Sequence, residues 1–224
     1  MTITIHDVEQ GTPEWDAARR GIVTASVIRN LITPTTLKPA ANETSRGITL
    51  QLVAERITGH TDPTYMSADM ERGHIDEPVA RELYREHHAP VQEVGFITRE
   101  DRGVRVGYSP DGLVGDDGLI EIKSRAQKAQ LATILNDEIP AENIAQLQTG
   151  LYVTGRKWID YVSFCAGMPL YVKRMTPDPE WQTAIFRAVA AFEGTAVLLL
   201  DAYNKAVVGL PETIRIPELE DMRF

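Results

Sequence analysis

The chain has 224 residues, of which 43% are hydrophobic, so it can bury a sizeable core, and we expect one α/β domain over residues 1–224. Its single cysteine, Cys165, excludes an internal disulfide framework and any four-cysteine metal or iron–sulfur site. No run approaches the roughly 18 consecutive apolar residues of a membrane span, and no basic segment precedes an apolar one at the N-terminus, which predicts a cytosolic protein. The net charge of −9 argues mildly against a generic nucleic-acid binder, but acidic residues far from a binding surface would give the same charge.

The N-terminal part predicts two short helices. Thr12 is a typical N-cap and Pro13 favours the first turn, so a helix should run from there to Arg19-Arg20 and end at Gly21. A second helix is expected to begin with Thr24 as its cap and to continue to about residue 31. Backbone N–H groups at such a helix start favour an anion, and four polar residues would lie around it: Arg19, Arg20, Thr24 and Ser26. An exposed, arginine-rich helix end with an ordinary cap is an equally good interpretation.

The next part predicts a polar loop over residues 33–45, then a helix from about residue 46 to Gly59. A further helix is expected over residues 70–88, although Pro78 favours a start at the proline itself. Either start places Glu77 at or near the beginning of the helix, where a solvated surface charge is the simpler interpretation. Strands are expected over residues 91–97 and 104–108, joined by a charged turn over residues 98–103.

A polar hairpin over residues 107–124 is the centre of the sequence. Ser109-Pro110-Asp111-Gly112 is typical of one turn and Gly115-Asp116-Asp117-Gly118 of a second. Residues 119–123 alternate with period two, so Ile120 and Ile122 should lie on one face of a strand and Glu121 and Lys123 on the other. Asp111 is expected at or just past the end of the first strand of this hairpin.

The C-terminal part predicts helices over residues 127–135 and 140–153, and an antiparallel strand pair over residues 158–164 and 170–174. Gln146 and Gln148 lie off the apolar stripe of the second of these helices, as surface glutamines do. A long helix is expected over residues 180–204, with an interruption near Gly194, followed by an irregular tail after Val208. The predicted architecture is a central mixed β-sheet flanked by helices.

The hairpin can support metal-assisted hydrolysis of a phosphodiester. Asp111 and Glu121 supply hard oxygen ligands for Mg²⁺ or Mn²⁺, and the backbone carbonyl of Ile122 is a third oxygen beside them. Lys123 could position the nucleophile and, with its pKa lowered by the charge of a metal, act as a general base. An ordinary surface hairpin with a Glu/Lys pair explains the same spacing. The sequence contains neither a glycine-rich phosphate loop nor histidines at zinc-ligand spacing, and Cys165 has the apolar neighbours of a core residue.

Five sequence motifs together resemble the lambda exonuclease, or YqaJ-like viral recombinase, branch of the PD-(D/E)XK nucleases. They are, in order along residues 11–175, Trp15-x3-Arg19-x-Gly21-x2-Thr24-Ala25-Ser26, Gly73-x3-Glu77, Ser109-Pro110-Asp111-Gly112, Glu121-Ile122-Lys123 and Ala145-Gln146-Leu147-Gln148. The resemblance implies a restriction-endonuclease-like core and a Mg²⁺-dependent enzyme that digests one strand of linear double-stranded DNA from 5′ to 3′. The remaining 3′ single strand would pass to a single-strand annealing protein in phage-type recombination, in the cytoplasm of a bacterial host.

The resemblance also implies roles for individual residues. Asp111, Glu121 and the Ile122 carbonyl match the metal ligands, and Lys123 matches the catalytic lysine. Glu77 resembles the helix-borne acidic residue near the metal, Gln146 the active-site glutamine, and Arg19, with Ser26 nearby, the residues that hold a 5′-phosphate. A ring-shaped homotrimer is a further implication.

Two alternatives and one departure from the family stay open at this point. A PD-(D/E)XK endonuclease of restriction or repair type shares the same motifs, and a non-catalytic DNA-end-binding module could share the fold. Ser124-Arg125 follows the lysine where some relatives have a Cys-Pro pair, which leaves the contacts just after Lys123 undefined.

Overall fold

The computed structural model describes residues 1–63 and 65–214 of the chain. Six α-helices form in these ranges: α1 Pro13–Arg19, α2 Glu43–Thr58, α3 Ala68–His87, α4 Gln127–Asn136, α5 Ala141–Thr154 and α6 Pro179–Ala206. The strands of the same ranges are β1 Thr2–His6, β2 Val23–Thr24, β3 Ile32–Thr33, β4 Lys38–Pro39, β5 Phe96–Asp101, β6 Val104–Tyr108, β7 Gly112–Val114, β8 Gly118–Ser124, β9 Trp158–Phe164 and β10 Tyr171–Met175.

The expected α/β class with mixed sheets and flanking helices is confirmed. Hydrogen bonding divides the strands, however, into two four-stranded sheets, of order β1-β5-β6-β2 and β10-β9-β8-β7, and a short β3–β4 pair. Each four-stranded sheet is antiparallel except at one junction, where β2 lies parallel to β6 and β8 lies parallel to β9. An isolated antiparallel bridge joins Gln92, which lies outside the strands, to Leu113 of β7.

Local sequence signals set the ends of several helices, including the predicted Thr12 cap and the predicted end at Gly59, although α2 begins at Glu43, before the expected residue 46. The Thr12 hydroxyl accepts a hydrogen bond from the Trp15 amide and caps α1. Asn42 and Ser45 form a reciprocal capping box at the start of α2. Gly59 and Gly155 end α2 and α5 at φ 65° and φ 69°, a left-handed conformation that glycine adopts without a Cβ clash.

The predicted helix beginning at Thr24 is wrong. Val23 and Thr24 form β2, and the following Ala25 amide donates to the Gly107 carbonyl of the adjoining strand at 2.9 Å. Only a single 3₁₀ turn, Ile28–Asn30, follows. Pairing with β6 and burial of the apolar side chains outweigh the local cap signal of Thr24. The predicted loop over residues 33–45 likewise contains β4, which pairs with β3.

Three other expectations need correction. The strand predicted over residues 91–97 forms instead as Phe96–Asp101, because β5 pairs with β6 as far as Asp101↔Val104 and leaves only a tight turn at residues 102–103. α3 continues through Pro78, which is exposed, so Glu77 lies in the middle of the helix and not at its start. α6 is not interrupted at Gly194, since Phe192 and Ala196 on either side are buried in the core.

The glutamine pair of α5 is divided between two environments. Gln148 is buried, where we had expected a surface glutamine, and its side chain donates to the Thr176 carbonyl and accepts from the Asp178 amide. It therefore attaches α5 to the start of α6. Gln146 faces a cavity that is described below.

The period-two alternation in β8 is confirmed. Ile120 and Ile122 pack with Ala80 and Tyr84 of α3, while Glu121 lies on the opposite face of the sheet. The hairpin that carries this strand is β7–β8, so Asp111 lies just before its first strand and not at that strand's end.

The long helix α6 is a core element. Among the described residues it is the one helix long and apolar enough to cross a membrane by length and composition. Its inner face is nevertheless buried in the main hydrophobic core, with Ile185, Val189 and Phe192 no more than 3% exposed. This face packs as part of the core, whereas Val197 and Leu198 further along the helix are exposed.

Candidate active site

One cavity of about 440 Å³ is lined by all the residues for which the family resemblance implies a role. These residues come from widely separated parts of the chain: Arg19, Ser26, Glu77, Asp111, Glu121, Ile122, Lys123 and Gln146. The fold brings them together because β8 lies between α3 on one face and α5 on the other, and because α1 ends beside the same strand end. The five motifs therefore form a single site.

Asp111 and Ile122 form one side of the cavity. The Ile122 amide donates a hydrogen bond of 2.6 Å to Asp111 Oδ2. The N–H and C=O groups of one strand residue point to the same strand edge, so the Ile122 carbonyl is directed towards Asp111 as well. β7 pairs with β8 only from Gly118 to Ile120, which leaves this edge of Ile122 open to the cavity.

Glu121 is the buried centre of the site, with 2% of its surface exposed. Lys123 Nζ and Gln146 Nε2 donate to Glu121 Oε1 at 2.8 and 2.5 Å, and the Tyr108 hydroxyl donates to Oε2 at 2.7 Å. This set of three donors fixes the carboxylate and makes its burial tolerable.

Tyr108 is a site residue that the sequence reasoning missed. It lies at the end of β6 and is 1% exposed, so its sequence context is that of a core aromatic residue. Gly150 of α5 makes room for it, since a Cβ at that position would lie 2.9 Å from the Tyr108 ring. The spacing between residues 108, 121 and 150 gives no periodic signal from which the contact could be predicted.

The carboxylates of the site repel one another. Burial, followed by the nearby charges of Glu121 and Glu77, raises the pKa of Asp111 well above its ordinary value. Burial also raises the pKa of Glu77, with Glu121 adding to the effect, although the ion pair with Arg81 opposes it. A cation bound between these groups would relieve the repulsion.

The pKa of Lys123 is raised in this structure. Burial acts to lower it, but the carboxylates of Glu121 and Asp111 outweigh that effect. Lys123 is thus an ammonium group in the absence of a metal charge. The lowered pKa that we expected for a general base depends on a bound cation.

The oxygen groups fit a hard divalent cation held by two carboxylates and one carbonyl. Across residues 1–63 and 65–214, no three His, Cys, Asp or Glu side chains are grouped closely enough to hold a metal ion. The physical reason is that the Glu77 carboxylate forms an ion pair with Arg81. Arg81 also donates hydrogen bonds to Glu93 and to the Asp111 carbonyl. Asp111, Glu121 and the Ile122 carbonyl remain, and all three are oxygen donors of the kind that Mg²⁺ and Mn²⁺ prefer.

A cationic and hydroxyl-rich wall lies beside the carboxylates. The Arg19 guanidinium stacks on the Trp15 ring at 3.7 Å, and Trp15 Nε1 donates to Ser109 Oγ at 2.9 Å. Arg19 Nε is buried and has no hydrogen-bond partner in the described part of the chain. The Thr24 and Ser26 hydroxyls are 2.9 Å apart on the same wall. Since Thr24 belongs to a strand, this wall would attract an anion through a guanidinium and hydroxyl groups, not through a helix start.

Ser124 accounts for the contacts just after Lys123. Its hydroxyl donates to Asp76 Oδ2 at 2.6 Å and accepts from Arg72 Nε at 2.9 Å, so it attaches β8 to α3. Arg125 turns away and contacts Glu142 and Asn143 at the start of α5. Ser124 and Arg125, which stand where some relatives have a Cys-Pro pair, therefore attach the end of β8 to α3 and α5. The carboxylates of Asp111 and Glu121 still line the cavity.

The fold is similar to those of solved exonucleases. The alkaline exonuclease LHK-Exo from Laribacter hongkongensis is 33% identical, with a TM-score of 0.79 over 89% of this chain and 100% of that chain. A complex of LHK-Exo with dAMP matches with a TM-score of 0.78 at the same identity and coverage. A phage-related exonuclease from Haemophilus somnus 129PT has a TM-score of 0.58 at 15% identity, over 81% of this chain and 96% of that chain, and shows likeness of fold alone.

Comparison with curated proteins gives no match. Residues 14–157 match the model of the YqaJ-like viral recombinase domain, which covers more than half of the chain and includes the whole set of cavity residues named above. The chain thus belongs to the YqaJ-like viral recombinase family and is a nuclease of the exonuclease type with a PD-(D/E)XK-like fold.

Proposed function

We propose that the protein is a Mg²⁺-dependent exonuclease that digests one strand of linear double-stranded DNA from 5′ to 3′ and leaves a 3′ single-stranded overhang. The observation that carries this proposal is the convergence of two carboxylates, a lysine and an arginine–hydroxyl wall in one cavity of about 440 Å³. A deoxynucleoside monophosphate, dAMP, occurs in a complex with the similar LHK-Exo, which supports DNA as the substrate class.

Asp111, Glu121 and the Ile122 carbonyl would hold the metal ion. When bound, the ion supplies Lewis-acid activation of water and neutralises charge on the phosphate. Mn²⁺ would satisfy the same oxygen ligands. Tyr108 and Gln146 keep Glu121 in place through hydrogen bonds of 2.7 and 2.5 Å, so the ligand does not have to be reorganised for each turnover.

Lys123 is proposed to orient the attacking water and to donate to the phosphate. Its ammonium is 2.8 Å from Glu121 Oε1, on the face of β8 that lines the cavity. Glu77 approaches the same space from α3 and is held by Arg81. We propose that it contributes further negative charge to cation binding from the opposite side.

Arg19 and Ser26 are proposed to bind the terminal 5′-phosphate. The Trp15 ring fixes the Arg19 guanidinium by stacking. The buried Nε–H of Arg19 lacks a protein acceptor among the described residues. A phosphate oxygen would satisfy that donor. With the 5′-phosphate held at this wall, the following phosphodiester would lie over the carboxylates, which gives 5′→3′ polarity.

The proposed biological role follows from the family. The 3′ strand would be passed to a single-strand annealing protein during phage-type recombination, inside the cytoplasm of a bacterial host. A homotrimeric ring around the DNA would keep the enzyme on its substrate between cuts.

The form of the DNA substrate tests the proposal directly. The protein is incubated with a linear duplex and with the same DNA as a covalently closed circle, while Mg²⁺ is titrated from zero. We expect mononucleotides from the linear DNA in proportion to bound Mg²⁺, and an intact circle. Cutting of the circle would indicate an endonuclease, and binding of ends without digestion at any Mg²⁺ concentration would indicate a non-catalytic module.

A further inference from the structure

A second cavity lies on the other side of the end of α1. It has a volume of about 490 Å³, and its charged and titratable lining residues are His6, Arg20, Arg56, Glu100, Arg105 and Glu193. We call it the arginine cavity. The adjacent residues Arg19 and Arg20 thus line two different cavities, Arg19 the candidate active site and Arg20 the arginine cavity.

The arginine cavity carries an excess of one positive charge, from three guanidinium groups against two carboxylates. Arg56 is already neutralised, because it donates to both oxygens of Glu193 at 2.7 Å and to the Gly21 carbonyl. In the described ranges, neither Arg20 nor Arg105 forms an ion pair. Glu100 faces Arg105 across the β5–β6 ladder without contacting it as an ion pair.

One further observation favours an anionic ligand. Arg20 Nε is buried, and the described residues offer it no hydrogen-bond acceptor. Leaving such a donor unsatisfied costs free energy, and the rigid guanidinium fork is suited to phosphate oxygens. His6 contributes little positive charge to the cavity, since burial and the neighbouring Arg105 lower its pKa, and its ring is hydrogen-bonded to Thr98.

The arginine cavity and the candidate active site lie along the same strand, β6. Thr24 of the candidate active site pairs with Gly107 of β6, and Arg105 of the arginine cavity lies two residues before Gly107 on the same face of that strand, which is about 7 Å along it. A DNA duplex advances about 3.4 Å per base pair. A duplex whose end occupies the candidate active site can therefore place a backbone phosphate roughly two base pairs further along near the arginine cavity.

We propose that the arginine cavity binds a backbone phosphate of the duplex, through Arg20 and Arg105, as the enzyme holds the DNA behind the end that it digests. This inference rests on the proposed function, because it takes DNA as the substrate. It concerns a contact that is separate from the terminal 5′-phosphate at Arg19. Free inorganic phosphate shares the chemistry and must be distinguished by experiment.

The test is duplex binding by Arg105→Ala and Arg20→Gln, with Arg46→Ala on α2 as a control that removes an exposed arginine outside both cavities. Fluorescence anisotropy in EDTA, between about 50 and 200 mM salt, measures the affinity and its salt dependence. We expect each cavity variant to bind roughly tenfold more weakly and the slope of log K against log salt to fall by about 0.9. The loss should be equal for 5′-phosphorylated and 5′-hydroxyl duplexes, and the control should match the wild type.

Unchanged affinity and slope in Arg105→Ala would overturn the inference, and this exposed residue can be replaced without disturbing the core. A second result would also overturn it: inorganic phosphate protects the wild type but not the variants against thermal unfolding, while the variants keep the duplex affinity of the wild type. That result would indicate a site for free phosphate. Digestion of linear duplex by the wild type is measured in parallel. Wild-type protein that binds duplex without digesting it would count against the proposed function alone.

Discussion

Replacing Asp111 by Asn should separate the stability of the site from its metal chemistry. The two side chains have nearly the same shape, and the amide oxygen of Asn can still accept the 2.6 Å hydrogen bond from the Ile122 amide. The substitution therefore removes a negative charge and little else. We expect the metal-free protein to become more stable and the enzyme to lose its activity.

The direction of the stability change follows from the pKa of Asp111, which burial, Glu121 and Glu77 raise above its unfolded value. A group with a raised folded pKa stabilises the fold while protonated at low pH, and that contribution is lost as pH rises through the folded pKa. Above the folded pKa the ionised carboxylate thus destabilises the fold. We expect Asp111→Asn to raise the free energy of unfolding in EDTA by about 1–2 kcal/mol, the usual size of a single-substitution effect.

Urea unfolding in EDTA and in saturating Mg²⁺ measures both effects. The wild type should gain about 2.7 kcal/mol when Mg²⁺ is at 100 times its Kd, whereas Asp111→Asn should gain little. Asp116→Asn, in the exposed turn of the same hairpin, is the matched control and should change the free energy of unfolding by less than about 0.5 kcal/mol. An Asp111→Asn variant that is destabilised in EDTA, or that Mg²⁺ stabilises as it does the wild type, would refute the reasoning.

Three further substitutions test other parts of the site. Lys123→Ala should reduce digestion by at least about 10²-fold while end binding in EDTA persists, since the ammonium acts on the reacting phosphate; full activity would rule out its role. Tyr108→Phe should lower kcat with little change in KM and reduce the free energy of unfolding by about 1–2 kcal/mol, because a donor to buried Glu121 is lost. Gly21→Ala should reduce that free energy by about 2–3 kcal/mol, as φ is +65° and the new Cβ would lie 2.5 Å from Arg56 Cγ.

Gly11→Ala is the control for the glycine substitution. Its φ is +83°, but no atom lies within 4 Å of the position of a Cβ. It should show the backbone cost alone, about 1–2 kcal/mol. Equal losses of unfolding free energy in the two variants would mean that the contact with Arg56 contributes nothing.

The parts of the site that lie on one regular element could be predicted from the sequence. The alternation Ile120, Glu121, Ile122, Lys123 placed two charged side chains on one face of β8, and the structure confirms that face. Such a prediction needs only the period of a strand. The convergence of distant motifs came from the family resemblance, since spacing alone does not report a contact between α5 and β8.

Contacts that depend on tertiary pairing could not be predicted in this way. Thr24 carries the chemistry of a helix cap, but the edge of β6 offers it a strand partner that is far away in sequence. Glu77 was expected near a helix start because Pro78 disfavours an interior position, yet α3 continues past it with Ala80 and Tyr84 packed on β8. Tyr108 reaches Glu121 only because a glycine on α5 leaves space for its ring.

Strand polarity tests the central claim most directly. A linear duplex is labelled separately at its 5′ and 3′ ends, with and without a 5′-phosphate, and its digestion in Mg²⁺ is followed over time. We predict that the 5′ label is released first as a mononucleotide, that the 3′ label stays on a long strand, and that Arg19→Ala removes the preference for a 5′-phosphate. Earlier release of the 3′ label, or simultaneous internal cuts, would contradict the assignment of a 5′→3′ exonuclease.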